Sequence, residues 1–224
     1  MTQVETTGRR ERKKAATRAR IIEEATALFR ERGYQATTIE DITEAADVAP
    51  RTFYSYFDAK VDVALAQFEE WAERHYEAMV SRPAGETPVE MAEGALVELA
   101  QLGYVTSERL QDENGAPYPP IAAAVVLSET EPEVAGRMYQ VLVGFQARMT
   151  ELFRERLGYP VGAIEPRIIA ASMSATWFVA IYGFGDICAS DFDPPSLDEL
   201  GLTGMRAYSR GLDRLWEGRL GGTP

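Results

Sequence analysis

The sequence predicts an all-α protein, and three patterns predict it. Apolar residues recur at three- and four-residue spacing along most of the chain. Clusters of proline and glycine cut those periodic stretches into helix-sized lengths. No segment alternates apolar and polar residues convincingly enough for a half-buried strand, and there is no internal repeat.

The elements follow in order. Residues 1–17 are polar and basic and read as a flexible arm. A first helix is expected from about Thr17 to Arg32, with Ile21, Ile22, Ala25, Leu28 and Phe29 on one side. Gly33 ends it, since glycine takes the left-handed conformation that closes a helix. In the second, Ile39, Ile42, Ala45 and Ala46 share one face, and two capping boxes overlap at its start, Thr37 to Glu40 and Thr38 to Asp41. The chain then reverses at Ala46-Asp47-Val48, where Asp47 tolerates a positive φ better than most non-glycine residues. Pro50 suits the first turn of a short third helix, where its missing N–H is not needed. Val48, Phe53 and Phe57 point inward, which leaves Arg51, Thr52, Tyr54, Ser55 and Tyr56 outside. Ala49 offers no side-chain cap to this helix, a loss of about 1 kcal/mol that Pro50 partly offsets.

A long helix is expected from near Asp58 to Ser81, carrying Val61, Leu65, Phe68, Trp71 and Ala72, with no flexible linker before the rest of the chain. Residues 82–88 break it. Val89 to Leu102 is helical, with a shorter piece toward Leu110, and 111–120 (QDENGAPYPP) is the clearest loop. Ile121 to Ser128 is a short apolar segment. Pro132 to Leu157 is a long helix bearing Val134, Met138, Val141, Leu142, Phe145, Met149, Leu152 and Phe153. Pro166 to Ser190 is apolar on nearly all sides and is expected to be buried on nearly all sides. Leu197 to Leu220 ends the chain as a helix or a broken pair.

A short second helix with Arg, Thr and Tyr outward suits a DNA major groove. The stretch from Ile21 to Lys60 resembles the DNA-binding domain of the TetR family of transcriptional repressors. The matching residues include Ala25, Leu28, Phe29, Gly33-Tyr34, Ala36-Thr37-Thr38, Asp41-Ile42, Ala45-Ala46, Val48, Thr52-Phe53-Tyr54, Tyr56-Phe57 and Lys60. The turn departs from the family at Asp47, where glycine is usual, and at Ala49, where Ser or Thr is usual. The resemblance implies residues 18–64 as a helix-turn-helix domain and 65–224 as an α-helical ligand-binding and dimerisation domain. It further implies that Arg51 and Thr52 reach base edges, with Pro50, Tyr54 and Ser55 on the same surface. Thr37 or Thr38, Tyr56 and Lys60 would hold phosphates.

Charge explains how an acidic chain carries such a reader. The net charge is −12. Residues 1–60 hold 11 Lys/Arg against 10 Asp/Glu, and residues 61–224 hold 12 against 25. Between Gly8 and Arg20 seven basic residues accompany one acid, Glu11. That places a local phosphate-binding end on an acidic body.

Other classes are disfavoured. One cysteine, Cys188, allows no intrachain disulfide and fits a cytoplasmic protein. No stretch is a convincing membrane span, and the N-terminus has no apolar signal core. His75 and Cys188 are far apart, and no glycine-rich phosphate loop, paired-cysteine motif or His-Glu-x-x-His is present. No catalysis, cofactor or metal is expected.

Small residues Ala170, Ala171, Ser174, Ala175 and Gly183 in the apolar helix permit close helix approach. That helix and the last one are expected to form a two-fold four-helix interface, since a dimer reads a palindrome better than one short helix can. Trp177, Phe178 and Tyr182 cluster there, and Phe68, Trp71, Tyr104 and Phe145 are candidates to converge on the same interior. Mostly apolar walls suit a small-molecule pocket, and the resemblance implies an inducer. The acidic body favours a neutral hydrophobic or aromatic effector. Arg109, Arg137 and Arg148 are the residues that would serve an anionic one, and Asp186 the acid nearest the aromatic run. The functional expectation is a homodimeric repressor released from a palindromic operator on double-stranded DNA. The competing class is a ligand-binding or scaffold protein with a vestigial DNA-binding domain.

Overall fold

The computed structural model describes residues 2–102 and 120–188. Among the described residues there are eight α-helices and no strand. They are α1 (Thr2–Arg32), α2 (Ile39–Ala45), α3 (Pro50–Phe53), α4 (Lys60–Ser81), α5 (Pro88–Gln101), α6 (Pro120–Thr130), α7 (Pro132–Arg156) and α8 (Glu165–Cys188). The short helix expected toward Leu110, most of the 111–120 loop and the last helix lie outside the described residues.

Two expectations change. The basic arm is helical, because α1 starts at Thr2 and not near Thr17. Ala, Arg, Lys and Glu dominate its first half, and all are strong helix formers, so one Gly8 does not break it. Arg10, Arg12, Lys13 and Lys14 stand exposed on this extension. The segment around Ile121 forms a full helix, α6.

The core is continuous across the molecule. At the N-terminal end Ile21, Ala25, Ile42, Phe53 and Phe57 bury together beneath α1–α3. Phe68, Met79, Met91, Leu96, Leu99, Met138 and Phe153 fill the larger helical part. α4 belongs to both. It packs against α1, α5, α6 and α7, so it is the shared beam between the two ends.

Ion pairs bind α7 across α4. Arg137 reaches Asp62 at 3.3 Å and Glu69 at 3.2 Å. Arg148 is bonded through both guanidinium nitrogens to Glu73, and its charge lies 3.8 Å from the Tyr76 ring centre. The Arg148 hydrogen bonds hold the Glu73 carboxyl below its usual range. These two arginines are therefore spent on carboxylates of α4, which corrects their candidacy as anion-ligand groups. Arg109 lies outside the described residues. Arg156 donates to the carbonyls of Val80 (2.6 Å) and Arg82 (3.0 Å), a cation on the C-terminal end of α4.

Over residues 165–176, the part whose side chains are described, α8 is not buried all round. Pro166, Ala170 and Met173 face the core, but Ile168 is 54% exposed and Ala175 is exposed as well. The apolar sequence predicts burial, and in a single chain one side of the helix meets solvent.

Candidate nucleic-acid interface

The reader is built by its turn. Asp47 has φ +49°, the single positive-φ non-glycine residue among those described. Its N–H bonds to Glu44 O at 3.1 Å, and Val48 N–H to Thr43 O at 3.0 Å, so the chain leaves α2 in one sharp step. Arg20 on α1 donates to Asp47 O at 3.4 Å and anchors the turn from behind. Ala49 supplies no side-chain cap to α3, as its chemistry dictates, and Pro50 occupies the first helical position.

α3 is short, but its hydrogen-bonded turns run on. Ser55 N–H bonds to Thr52 O, and Tyr56 and Phe57 N–H to Phe53 O, at 2.9–3.1 Å. Phe53 (0% exposed) and Phe57 (5%) lock this segment to the core with their rings 5.5 Å apart. Pro50, Arg51, Tyr54 and Ser55 are thereby turned outward, with Thr52 and Tyr56 partly covered. Tyr54 is 56% exposed and stands edge-on to Phe53. Ser55 Oγ donates back to Arg51 O at 3.2 Å, so its hydroxyl proton is already engaged.

The phosphate candidates fare differently. Thr37 is 0% exposed, and its hydroxyl donates to Gly33 O at 2.8 Å. Its side chain is a structural strut, which corrects its assignment to the surface. Of the two overlapping capping boxes, Thr38 with Asp41 is the one that forms. Asp41 accepts from Thr38 N–H at 2.8 Å and from its hydroxyl at 2.6 Å, while Asp41 N–H donates to Thr38 Oγ1 at 3.1 Å. Those bonds hold the Asp41 carboxyl below its usual range.

Lys60 Nζ donates to Tyr34 O at 2.7 Å and Thr37 O at 2.8 Å, and lies 4.2 Å from the Tyr34 ring centre. Two of its three protons are committed, so its first task is to tie the start of α4 to the α1–α2 connection. Lysine spacing alone did not reveal this role. Arg18 is similarly drawn inward, 5.3 Å from the Phe57 ring centre and 3.8 Å from Glu70. Exposed cations beside the reader among the described residues include Arg51 and, on α1, Arg10, Arg12, Lys13 and Lys14. An open groove between α1 and α4 is lined by Glu23, Glu70, Glu73 and Glu77 together with Arg18 and Arg74.

The predicted effector residues divide. Phe68 and Trp71 from α4 meet Phe145 from α7, each at most 6% exposed. Phe68 stacks on Trp71 with ring centres 5.8 Å apart, and Trp71 lies 6.5 Å from Phe145. His75 joins them at 5.2 Å from Trp71 and 5.5 Å from Phe145. Burial pushes its imidazole down to about 3, so it is neutral at pH 7. The clue in sequence was its spacing of four from Trp71. Tyr104 lies outside the described residues, and so do the side chains of Trp177, Phe178, Tyr182 and Asp186.

Comparison with known proteins places these features in context. Residues 21–66 match the family described as bacterial regulatory proteins, tetR family. The chain is 34% identical over 169 residues to the HTH-type transcriptional regulator TcmR of Streptomyces glaucescens, covering 75% of this chain and 73% of that protein. It is 35% identical over 80 residues to the HTH-type transcriptional repressor KstR2 of Mycobacterium tuberculosis, covering 34% of this chain and 39% of the relative. The fold resembles the fatty acid degradation regulator FadR from Bacillus halodurans, with TM-score 0.54, 21% identity, and 85% and 93% of the two chains covered. It also resembles SmeT in its triclosan complex, with TM-score 0.57, 20% identity, and 86% and 89% covered.

Proposed function

Because the chain belongs to the TetR family of bacterial transcriptional regulators, we propose that it is a homodimeric repressor released from a palindromic operator by a small hydrophobic or aromatic molecule. One observation carries the DNA half of this reading. The Asp47 turn and the buried Phe53–Phe57 pair present Arg51 and Tyr54 outward at one short helix, with Thr52 partly covered between them.

Arg51 and Thr52 read base edges, and an arginine placed bidentately on guanine is worth roughly 1–3 kcal/mol of discrimination. Tyr54 packs on a thymine methyl or on the sugar-phosphate. Tyr56 and the remaining Lys60 proton hold phosphates, with the exposed cations of α1 adding salt-sensitive affinity, while Thr38, whose N–H and hydroxyl both donate to Asp41, stays a helix cap. Residues 18–64 form the reader and 65–224 the effector and dimer domain, with α4 spanning the boundary. The exposed apolar side of α8 supports a two-fold partner there. The effector enters against Phe68, Trp71 and Phe145, whose uncharged setting favours an apolar ligand. It releases the operator only by binding more tightly to the conformation whose recognition helices are wrongly spaced.

The test is a titration on the intergenic DNA beside the protein's own gene. Wild type binds it selectively and with steep salt dependence. Arg51→Ala retains non-specific binding and loses about 1–3 kcal/mol of sequence discrimination. Selectivity equal to wild type in that variant removes the base-contact assignment. An absence of any palindromic site or salt-dependent affinity favours the vestigial-domain alternative.

A further inference from the structure

The start of α7 is bonded to the reader at Tyr34 and Gln35. Tyr34 sits between α1 and α2 and is 2% exposed. Its ring packs on Phe29 with centres 5.2 Å apart, and its other face meets the Lys60 ammonium. Its carbonyl accepts from Lys60 and from Thr37 N–H, so the residue is fixed within the reader on every side. Only its hydroxyl leaves. It donates to Glu133 Oε2 at 3.1 Å, 99 residues further along the chain, on the first turn of α7. The neighbouring Gln35 amide donates to Glu131, the residue that precedes α7. Burial and the Glu133 carboxylate push the Tyr34 phenol up, so it stays protonated as the donor.

The other end of this path is the aromatic cluster. Phe145 and Glu133 lie on the same helix, twelve residues and about 18 Å apart. Arg137, between them, is clamped to Asp62 and Glu69 of α4. α7 is one unbroken helix between these two points, so Phe145 and Glu133 are joined by continuous backbone.

We propose that Tyr34 and Glu133 are a positioning pair, through which α7 sets the orientation of the α2–α3 reader and hence the spacing of its two copies on DNA. This rests on the regulator reading above. Neither residue touches a base. Their bond joins the reader directly to the helix that carries Phe145, beside the tie that Lys60 makes from the start of α4.

The experiment uses the full chain as wild type, Tyr34→Phe, Glu133→Gln and the double variant. Tyr34→Phe keeps the ring against Phe29 and Lys60 and removes only the hydroxyl, and Glu133→Gln serves if that variant folds poorly. Amide hydrogen exchange is read first. Both single variants should exchange at least about fivefold faster across α2 and residues 48–57, the lower end of an ordinary coupling effect. The double variant should add nothing further, as expected for two residues acting through one contact. Faster exchange confined to residues 34–37, with 48–57 unchanged, overturns the proposal, because that is what loss of a merely structural hydrogen bond produces. DNA sites selected by wild type from a random-sequence pool are read second, with and without one base pair inserted between half-sites. The variants should lose at least about fivefold of the discrimination against the insertion while keeping the same half-site preference. Unchanged spacing discrimination also overturns it. If wild type selects no palindrome while the exchange pattern appears as described, the regulator reading fails and the positioning pair stands.

Discussion

His75 shows how one side chain ties stability to pH. Folded, its imidazole titrates at about 3, against 6.5 for an exposed histidine. Between those values the unfolded chain binds a proton that the folded one refuses. Stability contributed by neutral His75 is therefore present above pH 6.5 and declines as pH falls toward 3, by about 2 kcal/mol at pH 5. Urea denaturation of His75→Phe at pH 7 and pH 5 should show that much less acid destabilisation than wild type. An equal loss in both proteins would mean the ring accepts its proton in the folded state. Residue identity made much of the reader legible in advance, because Phe53, Phe57, Arg51 and Tyr54 follow simple burial rules. It misplaced Thr37 and did not show the structural bonds of Lys60. A threonine hydroxyl and a lysine ammonium suit phosphate and carbonyl equally, and the carbonyls of Gly33, Tyr34 and Thr37 come within reach only in three dimensions.

Elements were legible where local chemistry decides them. Gly33 at φ +84° and Asp47 at φ +49° stand where a stop and a reversal were expected. The ends of α4, α5 and α7 fall within a few residues of the breaks that proline and glycine announce. The start of α1 was not legible, since polar helix formers without an apolar face read equally as an arm. The turn gives the sharpest test at this scale. Asp47→Val forces a β-branched residue into the left-handed region and should lower stability by about 1–2 kcal/mol. Asp47→Gly, which removes the Cβ, should not lower it. Denaturant midpoints for the two variants check the expectation, and equal midpoints would show that the turn does not depend on its φ.

For the whole molecule, assembly is the property still to be measured. Ile168 is 54% exposed on an otherwise apolar helix, a place where a partner is wanted. We expect Ile168→Glu to convert a dimer to monomer in sedimentation experiments and to weaken palindrome binding in parallel. An isoleucine buried at an interface contributes about 1.5–3 kcal/mol, and a two-fold interface counts it twice. A variant that remains dimeric would move the interface off this face. Among the described residues no helix is long and apolar enough to cross a membrane. The contrast between the exposed cations on α1 and residues 61–224, with 12 Lys/Arg against 25 Asp/Glu, has a kinetic meaning. It makes the charge of the protein uneven along its chain. A DNA duplex exerts a torque on such a body during approach, turning the cationic end inward before contact and expelling collisions made tail-first. Added salt removes that torque, so fewer collisions would arrive correctly oriented even where the final complex is unchanged.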